Sequence, residues 1–163
     1  MTSANSIISN FLFPNLTPIS KITAEPTFQS AQTACTKLNI NLESIFTQLG
    51  GGIHGPLALV MTNAKYTSTT SIVAFFVPIN PDIAPIHSDT STMAQIYDTT
   101  RIHGENHRAF QLYHNLDKAL RNHIIKATPS TFLQELQDPI LILGKVICLQ
   151  MLMNFHKTYG KIT

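Results

Sequence analysis

Three histidines, His103, His107 and His114, come nearest in type and spacing to a chemical site in this chain. They stand at i, i+4 and i+11. At about 100° per residue of helix they fall within about 40° of one another. His103 and His107 are placed to share one metal ion across a single helical turn. Zinc takes a third protein ligand, and at 1.5 Å per residue His114 lies about 10 Å further along. Residues 104–106 read Gly-Glu-Asn, so no H-E-x-x-H is formed. The spacing therefore favours a polar flank of a helix over a metal site.

The remaining chemical signals are weaker. Gly50-Gly51-Gly52-Ile53-His54-Gly55 matches G-x-G-x-x-G letter by letter. A dinucleotide site needs a strand before the glycines and a βαβ unit around them, whereas a helix-period segment precedes these, so they read as a helix–helix joint. Asp89-Thr90-Ser91 and Asp98-Thr99-Thr100 lack the glycine of an aspartic-protease triplet. G-x-S-x-G and a phosphate-cradling Gly-Lys-Ser/Thr loop are absent, and the nine acidic residues are scattered without paired helical spacing. The expectation is a protein without catalysis, cofactor or metal.

Composition narrows the classes further. At 163 residues with 44% apolar content, the chain is long enough to bury one sizeable core. Charged residues are only 12%, so little repulsion opposes self-association. The net charge of +2 is too small to imply a polyanion partner alone. The charge is uneven, however: residues 101–163 carry eight bases, four acids and five of the seven histidines. Cys35 and Cys148 have no C-x-x-C spacing, which argues against a disulfide framework and for buried thiols in a reducing compartment. The first residues lack a basic n-region, and the longest apolar run, 140–155, is short for a bilayer. A cytoplasmic protein without a membrane partner is expected.

The elements that must position these residues follow from hydrophobic period. Residues 1–25 read as an arm, poorly ordered, and 26–163 as one helical domain. Pro26 opens a polar helix over Thr27 to Lys37, and Asn39 or Asn41 caps a second that carries Leu42, Ile45, Phe46 and Leu49 on one face. Pro56 starts a third, with Leu57, Val60, Met61 and Ala64 at i, i+3, i+4 and i+7. That helix loosens from Thr67. Ile72 to Val77 is the one apolar run short enough for a strand, and Val77 to Asp89 reads as an extended loop stiffened by Pro78, Pro81 and Pro85. Thr90 or Ser91 caps a long helix from Met93 to about Ala127, with Gly104 as a kink and a core face of Ala109, Tyr113, Leu116, Leu120 and Ile124, joined by Ile102. A short helix begins at Pro129, and a last one runs from about Ile140 to Tyr159. The fold class is all-α, a single compact domain of five to seven helices with a proline-rich internal loop.

Two surfaces are candidates for contact with partners. Met151, Met153 and Phe155 on the last helix, and Leu57 with Met61 on the third, are the apolar positions expected to bury against a second copy. Arg101, Arg108, Arg121 and Lys126 make the long helix basic and are the positions for a weak phosphate or RNA contact.

From His54 onward the order of motifs resembles the capsid-like N-terminal part of gag polyproteins of copia-type LTR retrotransposons. The stretches that carry the resemblance are His54-Gly55-Pro56-Leu57-Ala58-Leu59-Val60-Met61-Thr62 with Tyr66, and Val77-Pro78-Ile79-Asn80-Pro81 leading to Pro85 and His87. They continue with Phe110 to Tyr113, Asp117-Lys118-Ala119-Leu120-Arg121, and Tyr159-Gly160-Lys161-Ile162-Thr163. The resemblance implies a helical domain that self-assembles into a virus-like particle around RNA, with no catalysis and no assigned binding residues. Gag of this type continues into a second capsid half and often a C-x2-C-x4-H-x4-C knuckle, so a truncated or domesticated copy is expected. The competing expectation is a monomeric helical adaptor that holds a protein partner or RNA through the Pro78–His87 loop or the basic helix.

Overall fold

A computed structural model describes residues 13, 16–71, 74–138 and 146–159. Among them are four α-helices, α1 (Phe28–Glu43), α2 (Asn63–Thr70), α3 (Met93–Ala127) and α4 (Cys148–Tyr159). Three 3-10 segments (Leu49–Gly51, Gly55–Leu59 and Ser130–Leu136) complete the regular structure, and no strand is present among the described residues. The chain is all-α.

The core is a three-helix arrangement in which α4 packs against both α1 and α3. Helix α1 contributes Ala31, Ala34, Leu38 and Leu42, spaced to form one face. Helix α4 contributes Cys148, Met151, Leu152 and Phe155, again at i, i+3, i+4 and i+7. Helix α3 contributes Leu116, Leu120, Ile124 and Ala127. The 3-10 turns add Leu49, Leu57 and Leu59 at one end. There Phe75 sits edge-on to Tyr66, with ring centroids 5.9 Å apart, and stacks on Tyr113 at 6.1 Å.

Several expected boundaries move, each for a local reason. Residues 28–43 form one helix instead of two, opened by a capping box in which Thr27 Oγ1 accepts from the Ser30 N–H and Ser30 Oγ from the Thr27 N–H. Asn41 is not a cap: its side chain is buried and turned to the incoming chain. Its Oδ1 accepts from the Thr17 N–H (3.0 Å) and hydroxyl (2.9 Å), and its amide donates to the Thr17 carbonyl (2.8 Å). Residues 16–22 of the expected arm thus lie along α1, and the Ile22 N–H reaches the Ala127 carbonyl. Residues 1–12, 14 and 15 lie outside the described residues.

The third expected helix is divided. Gly55–Leu59 is 3-10, and α2 starts afresh behind Thr62, whose side chain accepts from the Lys65 N–H. Gly50 holds φ of 63°, and a Cβ at Gly55 would strike the Leu49 carbonyl, so these glycines serve backbone geometry and close approach. Of the candidate strand, residues 72 and 73 lie outside the described residues, and Phe75 is a buried core residue in an irregular segment. Helix α3 has the expected bounds. Thr92 caps it, not Thr90 or Ser91, and it runs unbroken through Gly104. Thr128 closes α3, and the segment after Pro129 is 3-10. The last helix is described from Cys148; its expected start at Ile140 lies outside the described residues.

Candidate functional site

Helix α3 is much longer than its partners. Thirty-five residues at 1.5 Å each span about 52 Å, against about 24 Å for the 16 of α1 and about 18 Å for the 12 of α4. Only the C-terminal part has helices to pack against. Accordingly the buried residues of α3 all lie at or beyond Leu116, and none lies in the first 23 positions. Ile102, expected on the core face, is 43% exposed for this reason.

The apolar stripe also changes sides along the helix. Leu116, Leu120 and Ile124 face the core, whereas Met93, Tyr97, Thr100 and Gly104 fall on a row about 170° away at 100° per residue. Met93 is 81% and Tyr97 71% exposed. The row, with Ile96, Arg101 and Arg108, lines a shallow concavity of about 510 Å³ over Gly104, where no side chain fills the helix surface. Preceding it, the proline-rich loop holds Ile79, Ile83 and Ile86 out into solvent, each more than four-fifths exposed, with Phe76 and Val77 at its start. Prolines at 78, 81 and 85 remove backbone donors and hold this segment open, and Asn80 Oδ1 accepts from the Asp82 N–H, fixing a turn. Exposed large apolar side chains clustered along one stretch of chain in this way are candidates for contact with a partner.

The five positions expected to meet a second copy fare differently. Leu57, Met61, Met151 and Phe155 are buried in the chain's own core, with Met151 fully inaccessible. Met151 and Phe155 are packing residues because α4 is sandwiched between α1 and α3, and Leu57 and Met61 because the chain around the Gly55–Leu59 turn joins the same core, the turn itself packing on α1. Met153, at 53% exposure, alone of the five faces outward.

The basic positions do not form one patch. Arg101, Arg108 and Lys126 share a side of α3, with Arg101 bridged to Asp98 and Glu105 at 2.8 Å each. Arg121 lies roughly on the opposite side and is only 18% exposed. Its Nε is 3.1 Å from Asp117 Oδ2, and its NH1 donates to the Val146 carbonyl at 2.9 Å. It is an internal clamp, unsuited to phosphate contact. Asp117 completes the clamp by accepting the Cys148 N–H at 2.9 Å, which fixes the start of α4. Burial pushes the Asp117 carboxyl up, opposed by that N–H and by Arg121.

The histidines form a flank beside the apolar row. The rings of His103 and His107 stack with centroids 6.4 Å apart, and Phe110 packs on His114 at 4.3 Å. Among the described residues no group of three His, Cys, Asp or Glu side chains could hold a metal. One constellation was invisible in the sequence: Cys35 Sγ lies 3.4 Å from His156 Nε2 across α1 and α4, though 121 positions separate them. Burial pushes the Cys35 thiol up, with Lys65 pulling it down; the thiol is thus held protonated, not activated. No described helix is long and apolar enough to cross a membrane. No family model, curated protein or solved structure matches the chain.

Proposed function

We propose that this chain is a non-enzymatic, capsid-like helical domain of the copia-type gag kind, acting in the cytoplasm through association with further copies of itself. The observation that carries the reading is the apolar surface formed by the proline-rich loop and the N-terminal half of α3. Phe76, Val77, Ile79, Ile83, Ile86, Met93 and Tyr97 expose on the order of 900 Å² there, and one partner of a standard interface contributes about 800 Å². The low charge of the chain leaves little repulsion against such contact. The resemblance in the order of motifs supplies the biological setting, a retrotransposon-derived particle protein. RNA is a secondary partner in this reading, held weakly along Arg101, Arg108 and Lys126.

The test is solution mass by light scattering across a tenfold concentration range, with and without nuclease. Growth into oligomers or particles is expected, and loss of size on nuclease treatment would show that RNA scaffolds them. A monomer throughout would reject self-association. It would favour the second reading, a helical adaptor that presents Ile79, Ile83 and Ile86 to a different protein.

A further inference from the structure

The N-terminal half of α3 carries four charges in the order Asp98, Arg101, Glu105, Arg108, alternating in sign. Asp98 and Arg108 are each five residues from His103, and Arg101 and Glu105 are each two residues from it. The series is therefore antisymmetric about position 103. At 100° per residue all four fall on one flank of the exposed row of Met93, Tyr97, Thr100 and Gly104. Two helices packed antiparallel bring the same flank of each together, so a dyad at residue 103 sets Asp98 opposite the second copy's Arg108 and Arg101 opposite its Glu105. Parallel two-fold packing would bring opposite flanks together and leave these charges without a facing partner of opposite sign. Within the chain Arg101 already bridges Asp98 and Glu105, while Arg108 has no ion pair among the described residues. Gly104, lying one residue from the dyad with open space around it, lets the two helices approach closely.

Resting on the self-association reading above, we propose that two copies pair through the N-terminal halves of α3, antiparallel about a two-fold axis at the level of His103. The contact is isologous, each copy presenting the same row and flank. Met93 and Tyr97 of one copy then lie along the Ala109–Tyr113 stretch of the other, whose own side chains are half-buried or exposed. Because Arg108 is engaged only across the dyad, it determines the register of pairing without contributing to the fold of the single chain.

The test uses the full chain at concentrations where sedimentation shows it associating. Arg108→Glu should weaken the dimer about tenfold by setting like charges against each other, and adding Asp98→Lys should restore most of the affinity. In a Cys35→Ser background, Gly104→Cys should form a disulfide-linked dimer under mild oxidation, because the two positions lie about 3 Å apart along the axis. Met93→Cys should not, since its copies would lie about 30 Å apart. Circular dichroism of each variant confirms that the helices remain. Association that is indifferent to Arg108→Glu, or crosslinking at 93 in place of 104, overturns the antiparallel dyad and leaves self-association standing. A monomer at every concentration overturns both.

Discussion

Replacing Asp117 by alanine would remove the clamp that holds α4 to α3. The side chain is 6% exposed and makes two contacts: the Cys148 N–H at 2.9 Å and the Arg121 guanidinium at 3.1 Å. A buried N–H left without an acceptor costs about 1–3 kcal/mol. Breaking a buried ion pair costs about 3–5 kcal/mol in full burial, but Arg121 is 18% exposed and keeps the Val146 carbonyl, so water offsets part of that. A total near 3 kcal/mol follows, a large share of the roughly 5–15 kcal/mol that stabilises a domain. With a urea slope of about 2 kcal/mol/M, the unfolding midpoint should fall by about 1.5 M at pH 7, read by circular dichroism. Asp117→Asn keeps an oxygen for Cys148 and should lose less. The asparagine variant also isolates the pH term. Burial raises the folded carboxyl above its ordinary 3.8, so the folded chain holds that proton more tightly than the unfolded one. The stability linked to that proton is fully present below about 3.8 and is lost as pH rises through the folded value. Asp117→Asn should lack that slope. An alanine variant whose midpoint stays within about 0.3 M of the parent, with unchanged slope, would refute the clamp.

Other consequences can be checked separately. Burial pushes the Cys148 thiol far above its ordinary range and Cys35 less so, so an aromatic disulfide reagent at pH 8 should leave Cys148 unmodified in the native chain and label Cys35 slowly; both should react at once in urea. Gly55→Ala should destabilise the chain strongly because the new carbon meets the Leu49 carbonyl, whereas Gly104→Ala, in open space on a helix, should raise the monomer's stability by about 0.5–1 kcal/mol in thermal unfolding. Met151→Ala should cost about 2–5 kcal/mol, as for other fully buried methionines, while Met153→Lys should leave the unfolding midpoint nearly unchanged.

What the sequence revealed and what it concealed divide along the range of the interactions. Helix α3 is legible from Met93 to Ala127 because period, capping residues and the proline before Ser130 are all local signals. Its apolar side switch was legible too, in the 170° between Tyr97 and Leu120 rows, yet a search for one continuous stripe merges them. Asn41 reads as a cap because an asparagine just ahead of an apolar face is a common helix start, and only Thr17, 24 positions away, turns its side chain to the incoming chain. The same distance problem hid Asp117 and Cys148, and Cys35 and His156. Met151 and Phe155 looked available for a partner because a helix apolar on many sides suggests surplus surface; α1 and α3 cover both sides of it.

Because α3 is clamped by packing over its last dozen residues and projects for about 34 Å beyond them, it is a lever with its fulcrum inside the core. A tilt of about 5° at the base moves the tip by roughly 3 Å over that length. Slight repacking around Leu116 and Asp117, too small to disturb the core, would therefore be read at the far end as a change in the angle between neighbouring copies. In an assembly joined tip to tip, curvature would be set not at the contact but at the clamp, and a substitution remote from every interface could turn a closed shell into a flat or tubular one.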